Sequence, residues 1–169
     1  MLFIIHSGQT GVERGAHLAA RAAGLRIAGF APPECRDELG ALPDHVRERL
    51  TPYVERGSRP ATRANIAIAS AALVIVPQAD QAEHFSAMLW LLQGIRGHKL
   101  PLLICDASTS LADVAAWASA LPETCGSRRL LVTGPRFTRW PEGEALARRL
   151  IGAIASSERT EGRPSWRVM

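Results

Sequence analysis

Leu2-Phe3-Ile4-Ile5-His6-Ser7-Gly8-Gln9-Thr10-Gly11-Val12-Glu13-Arg14 starts as an apolar run and passes through two glycines. It then enters an alanine-rich stretch with Val12, Ala16, Ala19, Ala20 and Ala23 at helical spacing. The pattern predicts a strand over Leu2 to His6, a tight turn over Ser7 to Gly11 and a helix over Val12 to Ala23, closed by Gly24 as a C-cap. Backbone N–H groups at a helix N-terminus, backed by the helix dipole, form a ready anion site. Gly8 and Gly11 let a phosphate approach the backbone, Gln9 lies between them, and Thr10 caps the helix or donates to a phosphate oxygen. The turn matches neither the GxGxxG pattern nor the Walker A pattern, so a capped turn without a ligand gives the same local signature.

Outward from this unit, short β-branched runs keep alternating with longer helical runs, the signature of βαβ units around a mostly parallel sheet. Strands are expected over Arg26 to Phe30, Ala72 to Val76, Leu100 to Cys105 and Arg129 to Thr133. Helices are expected over Ala61 to Ala71, Gln81 to Gly97 (apolar side Phe85, Met88, Leu89, Leu92 and Ile95), Leu111 to Leu121 and Glu142 to Ala155. The fold class is therefore α/β, a three-layer sandwich with a mostly parallel sheet of about five or more strands. Residues 1–155 read as one domain and residues 156–169 as a polar tail. Ala31 to Pro60 is rich in proline, glycine and charge; a stretch that long without periodicity is either functional or hides an element.

Composition narrows the function classes. The chain has 169 residues, 47% hydrophobic and 21% charged, which excludes a disordered or low-complexity reading. The formal charge is +4, and Lys99 alone among the 20 basic residues is a lysine. The arginines present planar forks suited to carboxylates and phosphates, and Lys99, in a turn beside Gly97 and Pro101, argues against Schiff-base chemistry. Cys35, Cys105 and Cys125 are odd in number and lack zinc-site spacing, which reads as a reducing, cytoplasmic compartment. No apolar run reaches the roughly 20 residues of a membrane span, and no contiguous basic or basic-aromatic stripe recommends nucleic acid as a partner.

A second site candidate is Gly134-Pro135-Arg136, followed by Thr138, Arg139 and Trp140. It leaves the carboxyl end of a strand, where open α/β sheets bind ligands, so it shares a crevice with the first turn if the two strands are neighbours. Arg36, Thr62, Arg63 and Asn65 from the long middle segment join the candidates, the arginines as charge partners and Thr62 and Asn65 as polar readers of a ligand. His6 is expected to be a packed, hydrogen-bonded histidine.

The segment His6 to Arg14 resembles the opening "SGGQTGVDR" motif of the putative molybdenum carrier family, a Rossmann-like branch of the SLOG superfamily. Gly29 to Pro33 is similar to that family's "GGWCP" turn and Arg36 to Pro43 to its "RRAEDGxIP" loop. Thr62 to Asn65 is similar to "TEWN", and Val132 to Arg136 to "VAGPR". The resemblance runs from about Leu2 to Ala155. It implies a Rossmann-like fold that holds a phosphorylated small molecule, molybdenum cofactor in the carrier members or a nucleotide in other SLOG relatives, with Thr10, Gly11, Arg36, Arg63 and Arg136 around the phosphate. The chain departs from the family in two places: Ile68-Ala69-Ser70-Ala71 replaces "DSDG", and Gln78 to His84 replaces the glycine-rich "GGT" cradle. Two alternatives stand beside the carrier: cleavage of a nucleotide N-glycosidic bond with Glu13 or Asp80 as acid or base, and an oligomeric scaffold that has lost its ligand. Homo-oligomer formation is expected from the apolar, alanine-rich helices.

Overall fold

The computed structural model of the chain describes residues 1–84 and 86–161. In chain order the elements are β1 (Leu2–Ile5), α1 (Val12–Ala23), β2 (Arg26–Ala28), β3 (Phe30–Ala31), β4 (Arg36–Asp37), β5 (Gly40–Ala41) and α2 (Asp44–Arg47). There follow β6 (Thr51–Pro52), α3 (Ser58–Ile68), β7 (Ala71–Ile75), a 3-10 helix (Ala79–His84), α4 (Ser86–Gly97), β8 (Leu102–Cys105), α5 (Leu111–Ser119), β9 (Arg128–Thr133) and α6 (Glu142–Glu161).

Five strands form one parallel sheet in the order β2-β1-β9-β7-β8. The last strand in sequence thus lies in the middle, hydrogen-bonded to β1 on one side and β7 on the other. A parallel sheet must be covered on both faces, so its strands read as continuous apolar runs; all five residues of β7 are buried. One face carries α1, α5 and α6 over Leu2, Ile4, Leu73, Ile75, Leu130 and Val132. The other carries α3 and α4 over Ile5, Ala72, Val74 and Leu131. Crossovers that step toward β2 use the first face and those that step toward β8 use the second, as a single crossover hand requires. The expected three-layer sandwich is what the chain forms.

Local chemistry explains where elements start and stop. α3 begins at Ser58, ahead of the expected Ala61, because Pro60 within a first turn has no intrahelical N–H to lose. The predicted strand over Arg26 to Phe30 breaks at Gly29: β2 pairs with β1, whereas β3 turns away to pair with β6. The helix expected from Gln81 is instead a 3-10 turn followed by α4, which buries Met88, Leu91, Leu92 and Ile95 and leaves Leu89 exposed. Phe85 lies outside the described residues. α6 continues through Ser156–Glu161, residues that the polar composition assigns to a tail, because Glu158 turns inward and accepts from Arg128 Nη2 at 2.7 Å. Arg128 also donates to the Ala118 and Ser119 carbonyls at the end of α5, so one buried guanidinium ties α5, β9 and α6 together. Residues 162–169, the rest of the expected tail, lie outside the described residues.

The middle segment has its own small core of Ala31, Leu42, Val46 and Leu50. α1 and α6 pack backbone to backbone at Gly15, where an added Cβ would lie 2.2 Å from the Glu144 carbonyl oxygen. Gly15→Ala is therefore expected to lower the urea midpoint by forcing these helices apart. Gly152→Ala, at a helical position with nothing within 4 Å, is expected to leave stability unchanged or raise it by up to about 1 kcal/mol through helix propensity. Equal effects of the two substitutions on the urea midpoint would contradict the tight α1–α6 contact.

Candidate functional site

The two loops singled out in the sequence meet. β1 and β9 are hydrogen-bonded neighbours, so the turn after β1 and the exit loop of β9 leave the same edge of the sheet. At Gly11 (φ +74°) an added Cβ would fall 2.7 Å from the Pro135 oxygen and 2.7 Å from the Phe137 nitrogen, so the loops touch through backbone. Val12 N–H donates to the Pro135 carbonyl. Gly134 is held as closely on its other side, since a Cβ there would lie 2.1 Å from the Ile75 carbonyl oxygen of β7.

Within the first turn, the amides expected to cradle a phosphate are already used. The Glu13 carboxylate bends back from the first turn of α1, and its Oε2 accepts from Ser7 N–H at 2.9 Å, Ser7 Oγ at 2.8 Å and Gln9 N–H at 3.1 Å. Its Oε1 lies 3.3 Å from Thr133 Oγ1 at the end of β9. Burial raises the Glu13 carboxyl pKa, and the donors around it act against that rise. This sealed side chain is poorly placed for the acid-base role the hydrolase alternative gives it. Asp80, its other candidate, is exposed on the 3-10 helix. Gly8 is covered from above: an added Cβ would meet Leu50 Cδ1 at 2.8 Å and Val46 Cγ1 at 2.9 Å.

His6 is packed and hydrogen-bonded as expected, yet it is not alone. Gly8 N–H donates to His6 Nδ1 at 2.9 Å, so the His6 proton sits on Nε2, 3.2 Å from His17 Nδ1, to which it donates. The His17 ring packs in turn against His45 of α2, with centroids 5.4 Å apart. Positions 6, 17 and 45 share no spacing motif, so only the fold reveals this cluster. No group of three or more His, Cys, Asp or Glu side chains among the described residues is arranged to hold a metal ion.

The polar groups that face one another at the mouth are Thr10, Glu38, Arg136, Phe137 N–H and Thr138. Thr10 Oγ1 accepts from Phe137 N–H at 3.2 Å and donates to Glu38 Oε1 at 2.6 Å. Arg136 Nη2 donates to Ser58 Oγ at the start of α3, 3.0 Å away. Of the other candidates, Gln9 is buried and its Nε2 donates to the Arg36 carbonyl at 3.4 Å, while the Arg36 side chain is exposed. Arg63 is exposed on α3, and the Thr62 hydroxyl donates to the Ser58 carbonyl inside the helix. Asn65 is buried and clamps β3, accepting from Phe30 N–H at 2.7 Å and donating to the Phe30 carbonyl at 3.0 Å. Both ends of its amide are satisfied by backbone, which is a packing role. The Gln78 to His84 segment is closed by Asp106, whose Oδ2 accepts from Ala79 N–H at 2.9 Å.

The histidine pair makes stability depend on pH. Burial, the neighbouring ring of His17 and the charge of Arg14 lower the His6 pKa to about 3; burial, His45 and Arg14 lower that of His17 to about 4. Both rings are neutral in the folded state and take up a proton near pH 6.5 once unfolded. Their stabilising contribution is full above about pH 6.5 and is lost as pH falls through the folded values. The slope reaches about 1.4 kcal/mol per pH unit for each group. Urea midpoints measured from pH 7 to pH 4 are expected to fall steeply in the natural chain and less steeply in His17→Leu.

The sheet order has a further meaning. Counting β9 as the first strand turns β2-β1-β9-β7-β8 into the 3-2-1-4-5 order of doubly wound nucleotide-binding sheets, with the switch point between β9 and β7. The chain is thus a cyclic permutation of that arrangement. A solved structure of a putative molybdenum carrier protein from Syntrophus aciditrophicus superposes with a TM-score of 0.75 at 21% sequence identity, over 90% of this chain and 93% of that one. No curated protein matches in sequence. Residues 4–155 match the family model described as the circularly permutated YpsA SLOG family, which accords with the resemblance read from the opening motif. The chain belongs to the circularly permutated YpsA SLOG family.

Proposed function

We propose that the protein is a carrier-like binding protein that holds a phosphorylated small molecule, molybdenum cofactor or a nucleotide, at the carboxyl ends of β1 and β9. The observation that carries this reading is the convergence of the Thr10 hydroxyl, the Thr138 amide and hydroxyl and the Arg136 guanidinium on one mouth beside the N-terminus of α1. Neutral donors and a fixed cation around a helix N-terminus suit an acceptor-only anion such as a phosphate. The fold's likeness to a solved putative molybdenum carrier protein supports the same class of ligand. Arg36 and Arg63, exposed on flanking elements, are free to neutralise the more distal parts of a charged ligand.

One observation favours a second reading, a scaffold without ligand: Val46 and Leu50 seal Gly8. Native mass spectrometry of the purified protein, with titrations of AMP, pyrophosphate and molybdenum-cofactor extract, separates the two. The carrier reading expects saturable binding that Arg136→Ala weakens by about 1–3 kcal/mol, the worth of a hydrogen bond to a charged group. Thr10→Val is expected to weaken it as well. A chain that binds none of the probes leaves the scaffold reading.

A further inference from the structure

The mouth at β1 and β9 already contains an anion, and the chain supplies it. Glu38 sits at the tip of the β4–β5 hairpin, between Asp37 and the exposed Leu39. Its Oε1 accepts from Thr10 Oγ1 at 2.6 Å and from Thr138 N–H at 3.0 Å, and its Oε2 accepts from Thr138 Oγ1 at 2.6 Å. Thr10 is almost wholly buried, and its hydroxyl accepts from Phe137 N–H, so its own proton is directed at the carboxylate. Three donors and the nearby Arg136 thus serve a group that arrives from a different part of the chain. Partial burial acts to raise the Glu38 carboxyl pKa; the Thr10 and Thr138 donors and Arg136 outweigh it and keep the group ionised.

The hairpin that delivers Glu38 is anchored at its base by the buried Leu42 and held along β4 by polar contacts. Asp37 pairs with Arg14 at 2.8 Å and caps Leu39 N–H at 2.8 Å, while the Arg36 carbonyl accepts from Gln9. β4 and β5 are two residues each, with Glu38 at the tip that joins them, so its side chain can leave its donors without unpairing a long ladder.

We infer that Glu38 is a tethered stand-in for the ligand's phosphate: the hairpin latches the mouth with its own carboxylate, and a phosphorylated ligand enters by displacing it onto the Thr10 and Thr138 donors it vacates. A carboxylate and a phosphate make the same demand on those donors, since both are acceptor-only anions. An intramolecular occupant competes at a high effective concentration, so it lowers apparent affinity by the fraction of time the mouth is open. The inference rests on the carrier reading of the mouth and adds its regulation.

The test titrates inorganic phosphate and AMP into the natural chain, Glu38→Ala and Thr10→Val, following the Phe137 and Thr138 amide resonances. Circular dichroism confirms that each variant is folded. The latch expects Glu38→Ala to bind at least about five-fold tighter than the natural chain, with the Thr138 amide shifted in the apo variant and moved again by phosphate, and Thr10→Val to bind more weakly than either. Equal affinities for Glu38→Ala and the natural chain, with Thr10→Val still weakened, overturn the latch and leave the carrier reading standing. Weaker binding by Glu38→Ala also overturns it, making Glu38 part of the ligand site. If even Glu38→Ala binds neither probe, the latch and the phosphate reading of the mouth fall together.

Discussion

A single buried carboxylate organises the carboxyl edge of the sheet at β1 and β9. Glu13 joins the Ser7 and Gln9 amides and the Ser7 hydroxyl to the Thr133 hydroxyl at the end of β9. It fixes the shape of the turn after β1 and ties that turn to the neighbouring strand. An acidic side chain in the first turn also complements the helix dipole of α1. Deleting it would leave two buried backbone donors and a buried serine without acceptors, and unmet buried donors carry the full desolvation penalty. Gly11 and Gly134 complete the constraint from the backbone side, because neither loop could approach its neighbour with a Cβ present.

From that constraint the division of labour at the mouth follows. The amides nearest β1 are satisfied internally, so they hold the loop rather than a ligand. The donors directed at the mouth come from one step further along, the Thr10 hydroxyl on the first loop and the Thr138 amide and hydroxyl on the second. The apolar cluster of Leu42, Val46 and Leu50 covers the turn, and His6, His17 and His45 meet edge-on and tilted from the turn, α1 and α2. The middle segment, which composition left open between a functional loop and a hidden element, is a compact cap with a small core, a clamp through Asn65 and a hairpin that reaches the mouth.

Where the resemblance to the molybdenum carrier motifs implies a glycine-rich cradle, this chain has Gln78 to His84, a 3-10 turn pinned by Asp106. On the proposed carrier reading, the groups that would recognise an anion are therefore concentrated at β1, β9 and the N-terminus of α3, with Arg136, Thr10 and Thr138 in place of the opening glycines.

Sequence by itself determined the layers and the family. Periodicity is a local property, so the boundaries of α1, the identity of β1, β7, β8 and β9, and the αL cap at Gly24 were all readable from residues within one turn of each other. The opening motif named the family because its glycines and Glu13 serve a local turn. Tertiary structure decided what depends on pairs far apart in the chain. That β9 lies between β1 and β7 is a matter of strand pairing that no periodicity encodes. That α6 runs on to Glu161 follows from the Arg128–Glu158 pair, which overrides a polar composition. That Asn65 is a clamp, that three histidines cluster, and that Glu38 occupies the mouth are contacts between residues 11 to 100 positions apart. Side chains of the same composition serve as solvated surface or as ligand groups, and only the partner each one meets in three dimensions tells which.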